Sequence, residues 1–205
     1  MILDAVDQVE LFVRVFFFIY TLALFVYVLT SWLRLPVALN PVARFLHEVC
    51  EPYLRLWRRV LPSFGPLDLS PMVGIFGLVV LQQILINLLG NARKFTATGG
   101  VQLIAHVEPT SHPTQLVINV IDTGIGIPTE KQNQVFDPFV QADTTVTRKY
   151  GGTGLGLALV KSLTERMGGH VRLKSEPGRG SAFAIVLPLA PALSQNSAEA
   201  TAAGV

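Results

Sequence analysis

The chain has 205 residues, half of them apolar and only 15% charged, with a formal charge of +2. That length holds one domain plus an anchor, or two small units. So small a charge points away from nucleic acid as a partner, and the lone Cys50 excludes an internal disulfide.

The apolar excess lies in the first ninety residues. Residues 15–33 (V-F-F-F-I-Y-T-L-A-L-F-V-Y-V-L-T-S-W-L) carry no charge over nineteen positions. At about 1.5 Å per residue this run matches a hydrocarbon layer of about 30 Å. Trp32 and Arg34 close it with an interfacial ring and a snorkelling cation. The preceding residues are acidic (Asp4, Asp7, Glu10) rather than basic, which argues against a cleaved signal peptide. Residues 40–59 place Val42, Phe45, Leu46 and Val49 at helical spacing among Arg44, Glu48 and Glu51, which predicts an amphipathic helix at the membrane surface. Pro52 is expected to break or restart it.

The strings S-W-L-R, N-P-V-A-R-F-L, E-P-Y-L-R, R-R-V-L-P and G-P-L-D-L-S-P, spread over residues 7–81, resemble the YggT family of small bacterial membrane proteins. The resemblance implies a place in the bacterial inner (cytoplasmic) membrane and a second span after D-L-S-P. Residues 72–81 are apolar, but Gln82, Gln83, Asn87 and Asn91 follow. Three amides in lipid would each cost about 1–3 kcal/mol unless paired. Arg34, Arg44, Arg55, Arg58 and Arg59 follow the first apolar run, whereas only Arg14 precedes it, which places that loop in the cytoplasm. The expectation is therefore a single crossing. Residues 71–81 form a junction grazing the membrane, and residues 78–94 form the first helix of a second domain. The division is 1–77 for the anchor with its interfacial helix, 78–190 for the second domain and 191–205 for a low-complexity, disordered tail.

The second domain reads helix, strand, strand, loop, helix, strand, strand. Residues 101–107 and 116–121 form a hairpin across P-T-S-H-P-T. Residues 154–167 form a helix, and residues 170–175 and 182–187 form a second hairpin across E-P-G-R-G-S. Helices on one face of a mixed sheet give an α+β, two-layer sandwich.

Four motifs recur in order: N-L-L-G-N-A-R-K-F-T (87–96), D-T-G-I-G-I-P (122–128), F-D-P-F (136–139) and G-G-T-G-L-G-L (151–157). Together they resemble the Bergerat-type ATP-binding domain of sensor histidine kinases and of the gyrase, heat-shock-protein-90 and mismatch-repair ATPases. The resemblance starts near Gln82 and lacks the family's first strand, whose loss would leave a sheet edge unpaired. So abrupt a switch also fits two joined genes.

The resemblance implies ATP and Mg2+ as ligands. Asn87 and Asn91 share one helix face, and Asn91 corresponds to the magnesium ligand, its amide oxygen being a neutral hard donor. Lys94, about a turn on, can reach a phosphate. Asp122 ends a strand, where an acceptor-only carboxylate suits the adenine amine and disfavours guanine. Gly124 and Gly126 let the backbone approach the base. Gly152, Thr153, Gly154, Leu155 and Gly156 precede a helix whose amides and dipole suit phosphate. Phe136 and Phe139 anchor a lid over residues 140–150 or serve as core aromatics. Arg148 and Lys149 are phosphate contacts or solvated lid charges.

No stretch resembles the paired helices that carry a phosphoacceptor histidine. His47 lies in H-E-V-C-E-P, a poor acceptor context, while His106, His112 and His170 fall on or beside strands. The glutamate that hydrolysing relatives use has amides at the matching positions, Gln83 and Asn87. The residues are thus expected to form a membrane-anchored, histidine-kinase-type catalytic domain. Its phosphoacceptor histidine protein or response regulator would act in trans, within two-component signalling. The alternative is a non-enzymatic YggT-like membrane protein with an inert ATPase remnant.

Overall fold

The computed structural model describes residues 2–32, 39–60, 68–109, 114–140 and 154–189. In chain order the elements are α1 (Ile2–Trp32), α2 (Asn40–Val60), α3 (Ser70–Phe95), β1 (Val101–Glu108), β2 (Gln115–Asp122), a single 3-10 turn (Thr129–Lys131), α4 (Gly156–Arg166), β3 (His170–Glu176) and β4 (Gly180–Pro188). Arg34, His112, Arg148, Lys149, Gly151, Gly152, Thr153 and the tail at 191–205 lie outside the described residues.

The sheet runs β1-β2-β4-β3, and all three pairings are antiparallel. The mixed sheet expected from the sequence is therefore not what these strands build. Two hairpins supply the strands, and the passage through α4 brings β4 in antiparallel to β2. Alternation sends Leu116, Ile118 and Val120 of β2 and Phe183, Ile185 and Leu187 of β4 to one face, where they meet Leu88, Leu89 and Ala92 of α3 and Val160 of α4. The result is the expected α+β sandwich.

α3 is one unbroken helix, so residues 71–81 are not a separate junction. Pro71 sits in the first turn, where its missing N–H costs nothing. Gly74 and Gly77 do not break the helix because they make room for neighbours. A β-carbon on Gly77 would lie 2.5 Å from Trp57 Cζ2, and one on Gly74 would lie 3.1 Å from Tyr53 Cε1. Tyr53 Oη donates to Gly74 O at 2.7 Å.

Pro52 does not break α2 either. Cys50 and Leu54, on either side of it, are fully buried in the shared core and hold both turns against α1 and α3. The buried apolar face of α2 is Leu46, Cys50 and Leu54. Val42, Phe45 and Val49, the remaining apolar positions of the expected stripe, are exposed.

α1 and α3 run antiparallel. Asp7 near the start of α1 pairs with Arg93 near the end of α3 at 2.9 Å. Tyr20, further along α1, meets Tyr53 of α2, which in turn meets Gly74 near the start of α3. The sandwich therefore lies at the opposite end of α1 from the connection to α2. This differs from the single-crossing expectation, which folds the second domain back to the loop's side. By length and composition alone, two helices could cross a membrane, Val6–Thr30 and Ser70–Phe95.

Candidate nucleotide-binding site

The second half of α3 carries the amide pair. Asn87 Nδ2 donates to Gln83 O at 2.8 Å, one turn back, which leaves its amide oxygen aimed away from the helix. That oxygen lies 3.3 Å from where a β-carbon would stand on Gly156, and Asn91 Nδ2 lies 3.9 Å from the same point. The first residue of α4 is thus set against both asparagines, and a side chain there would fill the space they face. Lys94 Nζ lies 5.0 Å from the centre of the Phe95 ring.

The loop after β2 is tied to the end of the same helix. Ile125 N–H donates to Phe95 O at 3.2 Å. A β-carbon on Gly124 would collide with Phe95 O, so this close approach demands glycine. Gly126 takes φ 68°, and a side chain there would strike Glu176 O. Asn91 and Phe95 are four residues apart, about 6 Å along the helix. The amide pair and the aspartate loop are thus neighbours through α3.

Asp122 is 6% exposed. Burial raises its carboxyl pKa above the ordinary value, while hydrogen bonds from the backbone of Gly124 and Ser181 oppose the rise. Gly124 N–H donates to Oδ1 at 2.9 Å and Ser181 N–H to the same oxygen at 3.3 Å. No hydrogen bond from the described residues is seen at the other oxygen, Oδ2. Ser181 was not legible as part of this site from motif spacing. Its signal is register alone, since Asp122 and Ser181 face each other across the β2–β4 ladder.

Phe136 packs edge-on to Phe183 with ring centres 6.3 Å apart, as a core aromatic. Phe139 is different. It is 75% exposed and takes φ 65°, a left-handed value that is unusual for a bulky side chain. Its Cα lies 3.1 Å from where a β-carbon would stand on Gly154, whose own φ is 69°. Leu155 follows and leads into α4. Of the glycine-rich stretch, Gly154, Leu155 and Gly156 are described, and Gly156 is set against α3.

The described histidines pair with other groups. His47 Nδ1 is 3.3 Å from Tyr27 Oη, His106 Nε2 is 3.6 Å from Glu108, and His170 Nε2 accepts from Arg172 Nε at 3.0 Å. Among the described residues no three His, Cys, Asp or Glu side chains gather to hold a metal. A magnesium ion at Asn91 fits the donor chemistry only if phosphate oxygens and water complete its shell, as this ion ordinarily permits.

A carboxylate at a strand end, a glycine loop beside it, an amide pair on the facing helix and a glycine-led helix against that pair define a histidine-kinase-type ATP-binding domain. The chain belongs to the family described as Histidine kinase-, DNA gyrase B-, and HSP90-like ATPase, which matches residues 78–191, more than half of its length. Residues 7–89 match CCB3/YggT, so residues 78–89 of α3 fall within both. Similar proteins include the autoinducer 2 sensor kinase/phosphatase LuxQ of Vibrio harveyi, 46% identical over 125 residues, or 60% of this chain and 15% of that one. The circadian input-output histidine kinase CikA of Synechococcus elongatus is 48% identical over 108 residues, covering 53% of this chain and 14% of that one. The signal transduction histidine-protein kinase BarA of Escherichia coli is 44% identical over 104 residues, 50% of this chain and 11% of that one. The chain thus spans a small fraction of the length of these relatives.

Proposed function

We propose that the chain is a membrane-anchored histidine-kinase-type catalytic domain that binds Mg-ATP and phosphorylates a histidine on another chain. The observation that carries this reading is the seat of Gly156 on Asn87 and Asn91, with the Asp122 loop tied to Phe95 on the same helix. Adenine would give its exocyclic amine to Asp122 Oδ2. The phosphates would lie between the start of α4 and the amide pair, with Lys94 reaching toward them. Magnesium held by Asn91 would neutralise phosphate charge. Transfer itself asks little covalent chemistry of the protein. A histidine nitrogen attacks Pγ, the bond from Pγ to the bridging oxygen breaks, and ADP departs with the electron pair.

The matched YggT-type segment and the apolar outward side chains of α1, among them Phe12, Phe16, Phe18 and Phe25, support anchoring in a bilayer. ATP is cytoplasmic, so the sandwich faces that side of the bacterial inner membrane. The antiparallel packing of α1 and α3 then carries the α2 end to the opposite side. Arg58 is paired there with Glu51 at 2.7 Å and Asp68 at 2.9 Å, which lowers the cost of carrying that charge across.

A non-enzymatic membrane protein with an inert ATPase remnant is the second reading. One observation favours it: the apolar helix Ser70–Phe95 that could cross the membrane includes Asn87 and Asn91, so a full crossing would take the amide pair into lipid. Calorimetry of the full chain in nanodiscs, with and without magnesium, tests the first reading, followed by transfer from γ-labelled ATP to a separately supplied kinase phosphoacceptor domain. Magnesium-dependent ATP binding with labelled histidine is the expected result. No nucleotide binding would leave the remnant reading standing.

A further inference from the structure

Ile127 sits at the far end of the aspartate loop, and its peptide is gripped from two sides. Its N–H donates to Ser175 Oγ at 2.8 Å, and its carbonyl accepts from Gln132 Nε2 at 2.9 Å. Gln132 Nε2 also donates to Ser175 O at 2.9 Å. Ser175 Oγ spends its one proton on Gly180 O at 2.9 Å. Its 3.0 Å contact with Ser181 Oγ is therefore a bond that Ser181 donates. Ser181 N–H then reaches Asp122 Oδ1 at 3.3 Å. Gln132 just after the 3-10 turn, Ser175 of β3 and Ser181 of β4 thus join the two ends of the loop into one hydrogen-bonded ring. Midway, Gly178 N–H holds Ile125 O at 2.8 Å.

We propose that Ser175 and Gln132 are positioning residues for base recognition: they set the path of the Asp122 loop, so that the carboxylate and the bare faces of Gly124 and Gly126 meet the adenine edge. This rests on the ATP-binding reading above and deepens it. A turn staple with no part in recognition would influence stability alone. A positioning role makes a separate demand. Guanine presents a carbonyl where adenine presents an amine, so a carboxylate in the right place favours ATP over GTP, and a displaced one loses that preference. This role asks for no contact between either residue and the nucleotide. Their influence passes through the peptide of Ile127 and the hydroxyl of Ser181.

The test uses the full chain in nanodiscs and displacement of trinitrophenyl-ATP by ATP and by GTP. Ser175→Ala is expected to weaken ATP about tenfold while GTP changes less than about twofold, the size of one or two lost hydrogen bonds. Ser175→Thr, which keeps the hydroxyl, restores the ratio. Should Ser175→Ala fail to fold, Gln132→Leu reads the same ratio from the other side of the peptide. A folded variant that keeps the wild-type ATP-to-GTP ratio, or loses both nucleotides equally, overturns the positioning role. A wild-type chain that binds ATP and GTP alike instead overturns the reading of Asp122, and the positioning role with it.

Discussion

The amide oxygen of Asn87 lies 3.3 Å from the point a β-carbon would occupy on Gly156, so α3 and α4 share one small space. Gly156 is not among the glycines of positive φ, and alanine there suits the helix. Gly156→Ala is therefore expected to hold or raise the thermal midpoint while weakening Mg-ATP about three- to tenfold, or about 0.6–1.4 kcal/mol. Thermal unfolding and calorimetry on the same preparation check it. A stable variant with unchanged affinity would show that phosphates do not use this space.

Asp122→Asn separates binding from stability. Losing a charge-assisted hydrogen bond is expected to weaken ATP by about 1–3 kcal/mol. The folded-state pKa of Asp122 is raised by burial. Its contribution to stability is thus fully present below the unfolded value of about 3.9, and is lost as pH rises through the folded value. At neutral pH the ionised carboxylate opposes folding, so the asparagine variant should melt no lower than the wild type there. As pH falls through the raised pKa, wild-type ATP affinity should decline toward that of the variant. Melting and binding measured across pH 4–8 report both signs.

Magnesium dependence is assigned to one side chain. Chelation should weaken ATP binding by the wild type, and Asn91→Ala should bind ATP equally with and without the ion. If the variant keeps the full magnesium effect in calorimetry, the ion sits elsewhere.

The Asp7–Arg93 pair bears on topology. Both side chains are about half exposed, so the pair itself stabilises by about 0–1 kcal/mol. Its value is positional, because it sets the start of α1 beside the sandwich. Single cysteines at Gln8 and Glu130 in a Cys50→Ala background should react with an impermeant maleimide from the same side of the membrane. A cysteine at Leu39 should react from the other. Labelling of Leu39 and Glu130 from one side would restore the single-crossing arrangement.

Local patterning made much of the sandwich legible. The alternation at Leu116, Ile118 and Val120 and the turn residues at E-P-G-R-G-S place β2, β3 and β4 to within a residue or two. Asp122 and its two glycines could be singled out because the whole D-T-G-I-G-I-P string, more than a bare turn needs, carries the family resemblance. What was hidden is long-range. Nothing near Pro52 announces that Cys50 and Leu54 will be pinned by other helices, and nothing near Gly77 announces Trp57. The antiparallel sheet follows from pairing β2 with β4 across 59 to 73 residues of sequence, which no local period encodes. Ser175, Gln132 and Ser181 lie outside the four motifs, and their roles arise from hydrogen bonds that span the loop and both strands of the second hairpin.

Because α3 passes from Trp57's ring to Asn91 without a hinge, angular register is conserved along its whole length. Each residue added between Gly77 and Asn87 would swing the downstream amides by about 100° about the axis. One insertion would point them off the sheet, whereas a block of seven would return them to nearly their original bearing while pushing the sandwich about 10 Å further along. Length variants of this chain should therefore regain nucleotide affinity with helical periodicity, like a key that fits only after whole turns.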